Sequence, residues 1–188
     1  MKLLIIGPQG VGKGTQAKLI SEKFNAEHIS TGDIFRYNIS NETELGLKIK
    51  SIIESGNLVD DELTCEIVFD KLSSLGDSSY ILDGFPRNLS QAQNLNSYLS
   101  DNDQKLDVVV VLDADRSVLI DRINKRAIEE GRSDDTPESI KQRLSIYDTQ
   151  TAPIINYYND LGITTNIDGV QTVENVFEDI SLVLNSFN

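Results

Sequence analysis

The chain has 188 residues, 39% hydrophobic and 25% charged, enough for one sizeable core with insertions and too few for two independent ones. Thirty acidic against 17 basic side chains leave a net charge of -13, which disfavours a broad basic face for nucleic acid or anionic lipid, and 12 Gly with 4 Pro exclude collagen-like or Pro/Gly-rich disorder. The single cysteine, Cys65, builds no internal disulfide, thiolate zinc cluster or CxxC pair, and no apolar stretch approaches the ~20 residues that span a bilayer, so a reducing, cytoplasmic setting is expected.

Met1 to Ile6 starts as a signal peptide would, but the apolar run stops at Gly7-Pro8, short of the about 7 to 15 residues such a segment needs. Lys2 to Ile6 therefore reads as a first strand. A helix opens near Lys13 with Ala17, Ile20 and Phe24 on one stripe. Further strand-like runs at Glu27 to Ile29, Tyr80 to Leu82, Asp107 to Leu112 and Ile163 to Ile167 alternate with helical patterns. That alternation predicts an α/β fold, with a five-stranded parallel sheet covered on both faces. Val108-Val109-Val110-Val111 lacks polar alternation and predicts a central strand buried on both sides. Thr136-Pro137-Glu138 reads as an N-cap with proline at the first helical position, starting a long helix toward Tyr158 that Pro153 bends or breaks. Val173, Val176, Phe177, Ile180, Val183, Leu184 and Phe187 recur at three- and four-residue steps and predict a docked terminal helix. Two segments break the plan: residues 30–59, helical without a strand, and the polar stretch 125–135. Both are expected to be insertions above a core of residues 1–29, 60–124 and 136–188, where such segments cover ligands and move.

Gly7-Pro8-Gln9-Gly10-Val11-Gly12-Lys13-Gly14-Thr15 follows the first strand and opens the first helix, the context a phosphate-binding P-loop requires. Glycines let backbone N–H groups converge on phosphate oxygens, the helix start adds positive potential, and Lys13 adds a point charge. The simple pattern places Ser or Thr directly after the lysine; here Gly14 intervenes and Thr15 carries the hydroxyl. A ligand-free glycine turn is the alternative. Because one such loop serves ATPases, GTPases and small-molecule kinases, it does not by itself name a reaction.

Three further segments narrow the choice: Ser30-Thr31-Gly32-Asp33-Ile34-Phe35-Arg36, Asp83-Gly84-Phe85-Pro86-Arg87-Asn88-Leu89-Ser90-Gln91, and Gly131-Arg132-Ser133-Asp134-Asp135-Thr136-Pro137 leading to Arg143. With the Gly-Lys-Gly-Thr loop, in this order and spacing, the chain resembles the nucleoside monophosphate kinases from residue 1 to its C-terminus, and the adenylate kinase family most closely. The resemblance implies reversible phosphoryl transfer between ATP and AMP, giving two ADP, with Mg²⁺, in a monomer. It implies a P-loop three-layer fold, an AMP-binding insertion at residues 30–59 and a lid at 125–135. That lid is short and cysteine-free, unlike longer relatives that hold zinc, so no zinc is expected. A UMP/CMP kinase and a nucleotide-sensing protein without transfer activity remain as alternatives.

For ATP, the resemblance implies Gly10, Val11, Gly12, Lys13, Gly14, Thr15, Arg126 and Gln171, with Arg126 near adenine and Arg122 reaching the phosphates. For AMP it implies Thr31, Arg36, Asn57, Leu58, Val59, Gly84, Phe85, Pro86, Arg87, Gln91, Arg132 and Arg143. Lys13, Arg87, Arg122, Arg132 and Arg143 would serve the transfer, and Asp83 would hold Mg²⁺ through water. Arginine suits a polyanion because its planar fork donates several hydrogen bonds and keeps its charge. Thr31 and Gln91 match the adenylate kinase pattern, whereas pyrimidine kinases usually carry Ala and Asn there; an amide can pair bidentately with adenine. Each has a plainer reading, Thr31 as a helix cap and Gln91 as the partner of Asn88 in a capping-box pair. Asn88 departs from the usual Thr toward the pyrimidine type. Asp134 and Asp135 either orient the lid arginines or are solvated turn residues. Arg116, outside every motif, reads as a surface ion pair. The lone histidine, His28, reads as structural.

Overall fold

A computed structural model describes residues 1–132 and 134–187; Ser133, part of the third motif, lies outside the described residues. Five parallel strands, β1 (Lys2–Ile6), β2 (Glu27–Ser30), β3 (Tyr80–Asp83), β4 (Val108–Asp113) and β5 (Thr164–Asp168), form one sheet in the order β2-β3-β1-β4-β5. β1 is the middle strand. The four-valine strand β4 lies one place aside, interior between β1 and β5, with all four valines buried as their unbroken apolar run requires.

Nine α-helices among the described residues connect and cover the strands: α1 (Lys13–Phe24), α2 (Thr31–Ser40), α3 (Glu44–Glu54), α4 (Asp61–Leu75), α5 (Leu89–Asp101), α6 (Arg116–Glu129), α7 (Pro137–Ile146), α8 (Pro153–Asp160) and α9 (Val173–Leu184). Alternate residues of each strand feed opposite cores. Leu3, Ile5, Val108 and Val110 pack with Ala17 and Ile20 of α1, Leu119 and Ile123 of α6 and Val176, Ile180 and Leu184 of α9. Leu4, Ile6, Val109 and Val111 pack with Val68 and Leu72 of α4, Leu95 and Leu99 of α5 and Ile154 and Tyr158 of α8. Residues 31–54 contribute α2 and α3, which with Val59 build a small third core around Phe35 and Ile49, against Leu63 and Ile67 of α4.

Local chemistry explains the helix ends. The Thr136 hydroxyl accepts the Ser139 N–H at 3.2 Å and Pro137 occupies the first helical position. Pro153 cannot donate its missing N–H, and the helix breaks ahead of it: residues 147–151 widen into a π-turn in which Ala152 N–H reaches Tyr147 O at 2.7 Å. The terminal stripe is buried at Val176, Ile180 and Leu184, but Val173, the first residue of α9, and Phe187, beyond its end at Leu184, are exposed. No described helix is long and apolar enough to cross a membrane.

Ile5 lies beside Asp83, and Asp83 beside Ser30, in the strand register, so the P-loop, the Asp83 turn and the start of α2 emerge together at the carboxyl edge. The sheet switches direction around β1 at this edge, where open α/β sheets bind ligands.

Candidate active site

A cavity of about 920 Å³ opens above that edge. Its wall includes every site residue expected from the sequence except Phe85, and six of the seven arginines; Arg116 lies elsewhere, paired with Asp148 at 3.1 Å on the surface. Phe85 does not line the cavity. Its ring is 1% exposed, faces the core with Leu82 and Val68, and meets Phe69 edge-on at 6.2 Å, so its side chain supports the turn from below.

The P-loop wraps the start of α1. Gly12 is the N-cap at φ +106°, a backbone conformation suited to glycine, and it offers no side-chain acceptor. The first-turn N–H groups of Lys13, Gly14 and Thr15 therefore have no partner within the helix and border the cavity. Lys13 Nζ curls onto the carbonyls of Gly7 at 2.8 Å and Pro8 at 3.0 Å. Burial pushes its ammonium down to about 8; the Asp83 carboxylate opposes this, and the positive charges of Arg87 and Arg126 reinforce it. Asp83 is 8% exposed. Burial alone would raise its carboxyl, but the hydrogen bond from His28 Nε2, at 3.3 Å, and the charges of Lys13, His28 and Arg87 hold it below the usual range. His28 is thus a strand residue tied to Asp83.

Asp83 Oδ2 would lie 3.5 Å from a Cβ at Gly14, so the carboxylate faces the start of the P-loop helix. One carboxylate lining the same cavity as the Thr15 hydroxyl and the P-loop suits Mg²⁺, which takes few protein ligands and keeps waters and phosphate oxygens. Among the described residues, no group of three or more His, Cys, Asp or Glu could hold a metal by itself. Cys65 is buried on α4.

The side of the cavity formed by β3 and the start of α2 is built on two turns held together. Gly84, at φ +81°, sits so close to Thr31 that a Cβ would lie 2.7 Å from its hydroxyl. The Gly84 carbonyl accepts both the Thr31 hydroxyl at 2.9 Å and Arg87 Nε at 2.8 Å. Ser30, one residue earlier, caps α2 by accepting the Asp33 N–H, so Thr31 is freed from that task. Asn88 does cap α5: its Oδ1 accepts the Gln91 N–H at 2.9 Å. The Gln91 side chain accepts the Arg87 N–H rather than that of Asn88, so the pair is a shifted capping box. Arg87 is half-buried, and desolvation lowers its guanidinium from the ordinary value while Asp83 opposes the shift.

On the far wall Asp134 and Asp135 are buried and paired, not solvated. Asp135 accepts Arg126 through Nε at 3.0 Å and Nη2 at 2.6 Å, Arg143 at 3.0 Å and the Gln9 amide at 2.8 Å. Arg143 also reaches Asp134 at 2.7 Å and the Ile53 carbonyl at 3.1 Å. These contacts, with burial opposing them, keep the Asp134 carboxyl below its usual range. Arg132 pairs with Glu130 at 2.6 Å, and Arg36 with Asp33. Arg122 lies on backbone carbonyls, Gly169 at 2.7 Å, Val170 at 3.2 Å and Val11 at 3.3 Å. Gln171 donates to Asp179 at 2.8 Å, and Asn57 Oδ1 accepts Gln142. Sequence reasoning missed Gln9 and Asp61. Gln9 sits inside the P-loop motif, at a position the motif leaves open, and the helix-start acid Asp61 carries no motif signal.

Comparison with known proteins agrees with this geometry. A family model described as adenylate kinase matches residues 5–163. An adenylate kinase of Bifidobacterium longum is 51% identical over 177 residues, covering 94% of this chain and 95% of the relative. One of Kocuria rhizophila is 47% identical over 184 residues, covering 97% and 98%. One of Clostridium acetobutylicum is 41% identical over 212 aligned residues, covering 98% and 99%. That alignment is longer than this 188-residue chain, so the clostridial relative carries residues that this chain lacks.

Proposed function

The chain belongs to the adenylate kinase family, and from that membership we infer that it transfers the γ-phosphoryl group of ATP reversibly to AMP, giving two ADP. The observation that carries this reading is a single cavity in which a P-loop and six arginines converge. An oxygen of the AMP phosphate attacks the γ-phosphorus as the bond to the β,γ-bridging oxygen breaks, and that oxygen leaves with ADP. The attacking oxygen is already ionised, so no general base is needed; the protein supplies alignment and charge.

The P-loop N–H groups and Lys13 hold the donor phosphates, and Arg36 and Arg87 hold the AMP phosphate. Arg132 and Arg143 close on the transferring group. We assign Arg126 to the donor phosphates and Arg122 to the adenine side, exchanging the roles the sequence suggested. Arg126 acts electrostatically on Lys13, whereas Arg122 is bound to the carbonyls of Gly169 and Val170, beside Gln171. Asp135 keeps Arg126 and Arg143 aligned until phosphates draw them in. Thr31, Gln91 and the Asn57–Val59 segment border the AMP base. Asp83, through water, and Thr15 would hold Mg²⁺, which when bound neutralises charge on the donor phosphates. The site is complete within one chain, which supports a monomer.

The test is a coupled assay of ADP formation from ATP and Mg²⁺ with AMP, UMP and CMP as acceptors. AMP is expected to be the preferred acceptor. Equal or better turnover of a pyrimidine would reject the acceptor assignment, and ATP binding without turnover of any monophosphate would reject the enzyme reading.

A further inference from the structure

We propose that Asp61 is a positioning residue that sets the direction in which Gln91 reads the acceptor base. The inference deepens the AMP assignment and rests on Gln91 meeting that base. Asp61 is the first residue of α4, separated by Asp60 alone from the segment 57–59 that borders the acceptor site. The helix does not need it as a cap, because the Asp60 carboxylate already accepts the N–H groups of Glu62 at 3.0 Å and Leu63 at 3.2 Å. The Asp61 side chain turns instead to the start of α5. Its Oδ1 accepts Gln91 Nε2 at 2.7 Å and Asn88 Nδ2 at 2.9 Å, and its Oδ2 accepts Asn88 Nδ2 at 3.1 Å.

An ionised carboxylate only accepts, so the end of the Gln91 amide that faces it must be the amino group. The opposite end, the oxygen, then receives the Arg87 N–H at 2.8 Å. Turning the amide over would set oxygen against carboxylate and amino group against N–H, two repulsive contacts in a residue only 2% exposed. Gln91 is thereby left with one N–H and one oxygen lone pair in a fixed order. Adenine offers an amino donor beside a ring-nitrogen acceptor, the complement of that order, whereas hypoxanthine carries a carbonyl where adenine carries the amino group. Asp61 never touches the base, yet it decides which of the two purines Gln91 can pair with.

The experiment is steady-state kinetics of the full chain with AMP and IMP as acceptors at saturating ATP and Mg²⁺, for wild type, Asp61→Ala, Asp61→Asn and Gln91→Ala. Asp61→Ala is expected to lower the AMP-over-IMP ratio of kcat/KM by roughly tenfold, the size of one lost amide–base discrimination, mainly through the KM for AMP. The KM for ATP should not move. Asp61→Asn should act in the same direction but less, since its oxygen can still accept from Gln91; it also supplies the ratio if Asp61→Ala does not fold. A loss of fold alone would lower turnover of both acceptors and leave their ratio unchanged. If Gln91→Ala collapses the ratio while both Asp61 variants keep it, the positioning role of Asp61 is overturned and the base reading stands. An unchanged ratio in Gln91→Ala overturns the base reading and this proposal together.

Discussion

At the scale of one residue, Lys13 carries a charge that its surroundings perturb strongly. Desolvation pushes its ammonium down to about 8, with the Asp83 carboxylate opposing and the charges of Arg87 and Arg126 reinforcing the shift. Bound phosphate favours the charged lysine, so donor binding above that pH must take up a proton. The dissociation constant for ATP should therefore be insensitive to this group below pH 8 and weaken by up to about tenfold per pH unit above it. Calorimetric titrations in buffers of different ionisation enthalpy would show both the slope and the proton uptake. Lys13→Ala should remove the inflection and most turnover while keeping the fold; a wild-type affinity that stays flat to pH 9 would contradict the assignment.

At the scale of elements, α2 and α3 cross closely. Gly46 of α3 lies against the α2 backbone, where an added Cβ would fall 2.1 Å from the Asn38 carbonyl oxygen and 2.8 Å from the Ile39 nitrogen. Backbone cannot yield there as a side-chain tip would. Gly46→Ala is expected to cost roughly 1–3 kcal/mol by overpacking, despite alanine's better helix propensity. Because the small core of Phe35, Ile49 and Val59 is separate from the two sheet cores, the loss should appear first as earlier proteolysis within residues 31–59 and a higher KM for AMP. A variant at least as stable as wild type would show that the two helices can separate at no cost.

Over the whole molecule, the end of α3 and the turn after it are docked on α7. Gly56, at φ +77°, sits so near α7 that a Cβ would lie 2.6 Å from the Ser139 carbonyl oxygen, and Arg143 and Gln142 bond to Ile53 and Asn57 close by. Gly56→Ala should lift that turn from α7 and raise the KM for AMP several-fold with little change in that for ATP, since the P-loop lies outside this contact. Initial-rate kinetics with each substrate varied in turn would separate the two constants. Equal increases in both would mean that the disturbance spreads through the core. The global charge of -13 fits this economy, because the few arginines are gathered at one cavity rather than spread over a basic face.

Whatever depends on neighbours along the chain is legible from the order of residues. The P-loop, the five strand segments, the Thr136-Pro137 cap and the break before Pro153 follow from spacing, β-branching and the chemistry of proline, all within a few residues. Tertiary structure alone decided what depends on segments meeting from afar. It brought Gln9 to Asp135 across 126 positions and Asp61 to Gln91 across 30, turned Phe85 into the core, and separated Arg122 from Arg126 by the groups each one finds. A motif states which residue types occur. The direction of a buried amide or guanidinium is set by whichever donor or acceptor the folded chain places opposite it, and that partner carries no periodic signal.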